Sequence, residues 1–112
     1  MEITKTEIVK EKYIVLRLVG EISLYNAIDI KQWFDEFFQK TEYEGLTPVL
    51  EMSAVPYIDS SGIGTLISID SRMKKQRASR LILTGLSAGV QKVFTLSRLH
   101  TFFAIYSSVD NL

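Results

Sequence analysis

Few residues of this chain are suited to chemistry, and most of those fall in one stretch. Tyr57-Ile58-Asp59-Ser60-Ser61-Gly62-Ile63-Gly64 brings together an acid, two hydroxyls and two glycines. Asp59 or Ser60 there can cap a helix, because a side-chain oxygen accepts hydrogen bonds from first-turn amides. Capping accounts for one polar residue. It leaves the second serine unexplained, and also Gly62 and Gly64, since glycine inside a helix costs about 1 kcal/mol relative to alanine. Such glycines point to close approach of another group to the backbone, or to tight packing of helix on sheet. A helix N-terminus also favours an added anion. From the residues alone two readings stay open: plain capping, or an anion-binding or phosphorylation site.

Catalysis finds little support elsewhere. Neither Ser60 nor Ser61 has the glycine two residues earlier that a nucleophile elbow needs. A serine hydroxyl is a weak nucleophile without an activating base. The single histidine, His100, falls between a helical segment and a strand and reads as a half-exposed loop residue. Gly62-Ile63-Gly64 begins like a dinucleotide fingerprint, but Ile67 stands where the third small residue belongs. There is no Gly-Lys-Ser/Thr phosphate loop, and the pairs Asp35/Glu36 and Glu42/Glu44 lie on polar faces. The absence of cysteine removes disulfides, zinc ribbons and thiol catalysis. One histidine argues against a His-rich metal site. No enzyme activity, cofactor or metal is expected.

The elements that position this segment follow from periodicity. Tyr13 to Val19 alternates with the period of two of a strand, with Ile14, Leu16 and Leu18 on one side. Glu2 to Lys10 is a weaker strand, joined to it by a tight connection at Glu11-Lys12. Ser23 or Leu24 to about Lys40 reads as a helix, with Ser23 as N-cap. Ala27, Ile30, Trp33, Phe34, Phe37 and Phe38 form its apolar stripe, read as core. Pro48 to Met52 is a short buried strand, and Ala54 to Ile58 a surface connection. A second helix is expected from Ser61 to about Lys75, with Ile63, Leu66, Ile67 and Met73 on one arc. A strand over Arg80–Thr84 follows, then a helix over Ser87–Leu96 with Val90, Val93, Phe94 and Leu96 inward. Phe102 to Tyr106 is the last strand. The order ββαβαβαβ predicts one α/β domain over residues 1–112, with a mixed sheet of about five strands and helices packed on it by right-handed crossovers.

The 112 residues carry 13 basic and 13 acidic side chains, without the excess expected of a nucleic-acid surface. The one dense basic group, Arg72, Lys74, Lys75, Arg77 and Arg80, reads as the solvated end of a helix and its following turn. No apolar run approaches the ~20 residues of a membrane helix. The N-terminus lacks the apolar stretch of a secretory signal. A cytoplasmic protein with no nucleic-acid partner and no membrane insertion is expected.

Asp59-Ser60-Ser61-Gly62-Ile63-Gly64 resembles the Asp-Ser-Ser/Thr-Gly-Leu-Gly signature of the anti-sigma factor antagonists, the stand-alone STAS domains. The resemblance spans nearly the whole chain. Leu18-Val19-Gly20-Glu21-Ile22 is similar to the family's Leu-x-Gly-Glu-Leu-Asp, and Ala27 falls where that family often has a small residue. Val49-Leu50-Glu51-Met52 and Leu81-Ile82-Leu83-Thr84-Gly85 match its third and fourth strands, and Val90, Val93, Phe94 and Leu99 follow its later spacing.

The resemblance implies a STAS-type fold and a binding switch that catalyses nothing itself. Ser60 would be phosphorylated by the anti-sigma factor, a GHKL-type serine kinase. The unphosphorylated protein would bind that kinase and release a sigma factor, and a PP2C-type phosphatase would reset it. Glu21, Ser23, Asp59, Ser61, Gly62, Ile63, Gly64 and Asp70 would form the switch loop and partner face. Alternatives are a non-switched STAS subunit of a membrane transporter complex, and a partner-switching regulator of a non-sigma output.

Three departures stand out. Ser23 replaces a common Asp, and Arg98 replaces a frequent Gly that would suit a left-handed cap. Asp70 lies in the apolar arc of the second helix. It reads either as a half-exposed partner of Lys74 at i+4, worth ~0.3–0.5 kcal/mol, or as a specificity contact for a basic partner. Many relatives continue into a last helix beyond the position of Leu112. The expectation is a minimal domain, or one with apolar surface near its C-terminus for self-association, either a monomer or a weak homodimer.

Overall fold

The computed structural model describes residues 1–112. Strands β1 (Glu2–Val9) and β2 (Tyr13–Val19) form an antiparallel hairpin. Its turn places Lys10 and Glu11 at φ 55° and 54°, the left-handed pair that matches the twist of the flanking strands. Then follow α1 (Ala27–Gln39), β3 (Thr47–Ala54), α2 (Ser60–Arg77), β4 (Ile82–Thr84), α3 (Ala88–Leu96) and β5 (Ala104–Tyr106). The strands lie in sheet order β1-β2-β3-β4-β5, and every pairing after the hairpin is parallel. Successive right-handed crossovers that advance in one direction put all three helices on the same face.

That face holds the main core. Ile14, Leu16 and Leu18 of β2 and Leu50 and Met52 of β3 meet Ile30, Phe34 and Phe37 of α1, Leu66, Ile69 and Met73 of α2, and Val90 and Phe94 of α3. The aromatic stripe of α1 packs as expected, with Trp33 stacked on Phe37 at 5.5 Å between ring centroids. On the opposite face Val15, Val49 and Ile82 form a smaller cluster covered by Val109 and Leu112.

The differences from expectation arise where backbone amides find other partners. α1 begins at Ala27 because the amides before it are taken: Ser23 N–H donates to Asn26 Oδ1, Leu24 N–H to Asp59 and Tyr25 N–H to Ser23 Oγ. Ser23 is therefore not the N-cap; Asn26 holds that position. β4 loses Arg80 and Leu81 from its ladder, since Leu81 N–H donates to Asp70. β5 loses Phe102 and Phe103, whose amides close onto Leu99 O. The connection after β3 is not a surface loop throughout, because Val55 and Ile58 are buried. Ile69, not Ile63 or Ile67, completes the buried arc of α2, and Leu96 is exposed. Arg98 does adopt the left-handed conformation, at φ 58°.

Candidate functional site

Two loops at the C-terminal ends of neighbouring parallel strands build the site. Ile22, after β2, forms a parallel bridge with Ile58, after β3. Ile22 N–H donates to Tyr57 O at 3.0 Å, and Asp59 N–H returns to Ile22 O at 3.2 Å. Asp59 is the N-cap of α2 and uses both carboxylate oxygens. Oδ1 accepts Gly62 N–H at 2.8 Å and Oδ2 accepts Leu24 N–H at 3.0 Å. The Gly62 amide first, then that of Leu24, holds this carboxyl below its ordinary range.

Ser60 is the first residue of α2 and is exposed. Ser61 is half-buried, and its carbonyl accepts the Thr65 hydroxyl at 2.9 Å. The two glycines separate in role. A Cβ on Gly62 would lie 2.3 Å from Ile22 O, so the contact between α2 and the loop after β2 requires glycine. Gly64 is exposed with open space around it, so nothing inside the fold demands a glycine there. Ile63 is half-buried beside the core.

Ser23 is buried; its hydroxyl donates to the exposed Glu21 carboxylate at 3.2 Å and accepts Tyr25 N–H at 3.3 Å. Asn26 closes this loop from below, donating through Nδ2 to Glu21 O at 2.7 Å.

Asp70 does pair with Lys74 at i+4, but its burial differs from expectation. It is 1% exposed, so it is not a half-exposed helix residue and its carboxylate does not lie on the surface. Its carboxylate accepts Leu81 N–H at 2.9 Å and Arg80 Nε at 3.2 Å, and lies 3.3 Å from Lys74 Nζ. Burial alone would push this carboxyl up. The Leu81 amide, Arg80 and Lys74 together outweigh it and hold the group below its ordinary range. Asp70 ties α2 to the start of β4. Two more of the basic group are engaged: Arg72 pairs with Asp35, and Arg77 donates to the carbonyls of Tyr43, Glu44 and Leu46; Lys75 is exposed. His100 is exposed in a 3-10 turn, its Nδ1 3.4 Å from Phe94 O.

The Glu21–Tyr25 loop was expected at the contact face, but the exposed apolar side chains around it were not. Leu24, Tyr25, Ile28 and Tyr57 are 68%, 89%, 71% and 52% exposed, and the bonds of Leu24 to Asp59 and of Tyr57 to Ile22 put an exposed apolar corner beside Ser60. Their periodicity was no guide, because their apolar side chains belong to no core stripe. The N-terminus of α3 braces the loop before Asp59. Ser87 Oγ donates to Val55 O at 2.6 Å, and a Cβ on Gly89 would meet Pro56 O at 2.6 Å.

The STAS domain family model matches residues 3–112. The chain belongs to the STAS domain family. Among relatives, the anti-sigma-B factor antagonist of Listeria monocytogenes is 29% identical over 93 residues, which cover 83% of this chain and 78% of that protein. The anti-sigma factor antagonist SpoIIAA in its unphosphorylated form superposes with a TM-score of 0.67 at 25% identity, covering 98% of this chain and 92% of that one. A sulfate transporter family protein of Wolinella succinogenes shares the STAS fold with a TM-score of 0.72 at 18% identity, covering 94% and 84% of the two chains. No helix of this STAS domain is long and apolar enough to cross a membrane.

Proposed function

We propose that this STAS domain is an anti-sigma factor antagonist whose binding is switched by phosphorylation of Ser60. The observation that carries this reading is the exposed Ser60 hydroxyl at the first position of α2, beside an acid already held by α2's Gly62 amide. The domain catalyses nothing itself. A GHKL-type serine kinase, which is also the anti-sigma factor, transfers the γ-phosphoryl group of ATP to Ser60 Oγ, releasing ADP and the hydroxyl proton. A PP2C-type phosphatase hydrolyses the ester. Such partners would place the protein in the cytoplasm.

A phosphoryl group adds about −1.5 to −2 charges at neutral pH. At the start of an 18-residue helix that charge is tolerated by the fold. Its effect falls on the surface, where Asp59, Glu21 and the added phosphate would all have to be desolvated by a docking partner. The contact face in this reading comprises the Asp59–Ser61 loop, the first turns of α2 with Ile63 and Gly64, and the Glu21–Tyr25 loop with Ser23 beneath it. Asp70 has no part in it.

A non-switched transporter subunit shares the fold and needs no phosphoacceptor, so Ser60 separates the two. Incubation with the cognate kinase and ATP, followed by phosphosite mapping, should place one phosphate on Ser60. Ser60→Ala should bind the kinase constitutively and Ser60→Asp weakly. Equal affinity of wild type and Ser60→Asp for an active kinase would sink the switch. Co-purification with an ABC-type ATPase in place of a kinase would favour the transporter reading.

A further inference from the structure

The bond between Asp59 and Leu24 links Ser60 to the apolar corner. Three hydrogen bonds cross between the two loops of the site. Ile22 N–H to Tyr57 O and Asp59 N–H to Ile22 O are backbone bonds beside the Ile22–Ile58 bridge. The third, Leu24 N–H to Asp59 Oδ2, is the only one made by a side chain, and it reaches furthest toward Tyr25 and Ile28. The same carboxylate caps α2 through Gly62 N–H. One acid therefore holds both the start of α2 and the exposed Leu24–Tyr25 segment.

A phosphate on Ser60 enters this arrangement as a competitor. It would sit on the residue next to Asp59, repel its carboxylate, and seek the same first-turn donors, the amides of Ser61 and Gly62. The phosphate is the stronger acceptor and carries more charge. Displacing Asp59 from α2 also removes it from Leu24, because both bonds belong to one rigid planar group. The rest of the corner's bonding is local: Tyr25 N–H to Ser23 Oγ, and Asn26 to Glu21 and Ser23. Once Leu24 is released, no hydrogen bond ties Leu24 or Tyr25 to α2 or its cap, whereas Ile28 stays fixed in α1, which packs on α2.

We infer that Asp59 is a positioning residue that couples the phosphorylation state of Ser60 to the placement of Leu24 and Tyr25, so that the modification loosens this apolar part of the docking face as well as charging its rim. The inference rests on the reading of Ser60 as the modified residue. Its test needs neither kinase nor anti-sigma factor. Phosphoserine is incorporated at position 60 of the full chain during translation, and backbone amide exchange is followed by NMR.

Exchange at Leu24 should rise at least tenfold on phosphorylation, with the amides of Leu16 and Leu50 unchanged. In Asp59→Asn, where the amide oxygen can still cap Gly62 but the NH2 cannot accept from Leu24, exchange at Leu24 should rise without phosphate. Adding phosphoserine to that variant should then produce no further rise. A mere capping role for Asp59 would not give this non-additivity. Unchanged exchange at Leu24 on phosphorylation overturns the inference, as does a full phosphate response in Asp59→Asn. Either result leaves the switch itself standing. A chain that responds as expected at Leu24 yet binds its kinase equally well in both forms would instead refute the switch and leave the coupling intact.

Discussion

Gly62 and Ile22 touch through bare backbone: a side chain on the first would begin 2.3 Å from the carbonyl oxygen of the second. This contact sets the distance between α2 and the loop after β2, and hence the place of Ser60 beside Leu24 and Tyr25. Gly64, two residues on, has no such neighbour.

The two glycines should respond oppositely to alanine. Gly62→Ala gains helix propensity but forces backbone apart, with an expected net loss of about 2 kcal/mol. Gly64→Ala should gain about 1 kcal/mol. Urea unfolding of the two variants checks both signs. If Gly64→Ala is more stable but binds the anti-sigma factor kinase less well, the glycine serves close approach of the partner.

Tyr25, 89% exposed, contributes almost nothing to the core. If the proposed function holds, Tyr25→Ala should leave the unfolding midpoint unchanged and weaken binding of the proposed kinase at least tenfold, the behaviour of an aromatic anchor at an interface (about 2 kcal/mol). Titration calorimetry against the kinase measures it. Unaltered affinity would remove the apolar corner from the contact face.

Asp70 should matter for stability and not for binding. Asp70→Ala leaves Leu81 N–H without its acceptor and Lys74 and Arg80 without their counter-ion. Those two cations are about half exposed, so the expected cost is about 2 kcal/mol, below that of a fully buried pair. The pH dependence has a fixed sign. The carboxyl lies below its ordinary value in the folded protein, so the unfolded chain binds the proton first as pH falls. Its contribution is complete above the ordinary carboxylate pKa of about 3.9 and is lost as pH drops through the lower folded value. Acid unfolding should show this segment in wild type and lack it in Asp70→Asn.

Ala78 and Arg98 carry side chains at φ 50° and 58°. That conformation costs an L-residue about 1–2 kcal/mol, part of which glycine returns as unfolded-chain entropy. Ala78→Gly and Arg98→Gly should each raise the thermal midpoint by about 3 °C, measurable by calorimetry.

Much of this was legible in the order of residues. Period-two alternation over Tyr13–Val19, the three-and-four stripe from Ile30 to Phe38, and the glycines and serines that punctuate them specify a βαβ-type sheet, because burial of an apolar face depends on local spacing. The Asp59–Gly64 stretch also announced the start of α2 and its Asp59 cap, because capping and turn chemistry are local.

Other features depended on partners far along the chain. Whether Ser23 begins a helix is decided by Asp59, which takes the Leu24 amide, and by Asn26, which takes that of Ser23. Whether Asp70 faces water or core is decided by Leu81 and Arg80, which supply the hydrogen bonds that make its burial tolerable. Gly62 and Gly64 look alike in the sequence and differ only because the Ile22 carbonyl lies against one of them. The sequence by itself determined most of the elements, which follow from local periodicity, and singled out the Asp59–Gly64 stretch through its signature. Only the tertiary structure decided which amides, acids and glycines are already spent on holding those elements together, because hydrogen-bond partners and close contacts form between residues the chain order does not pair.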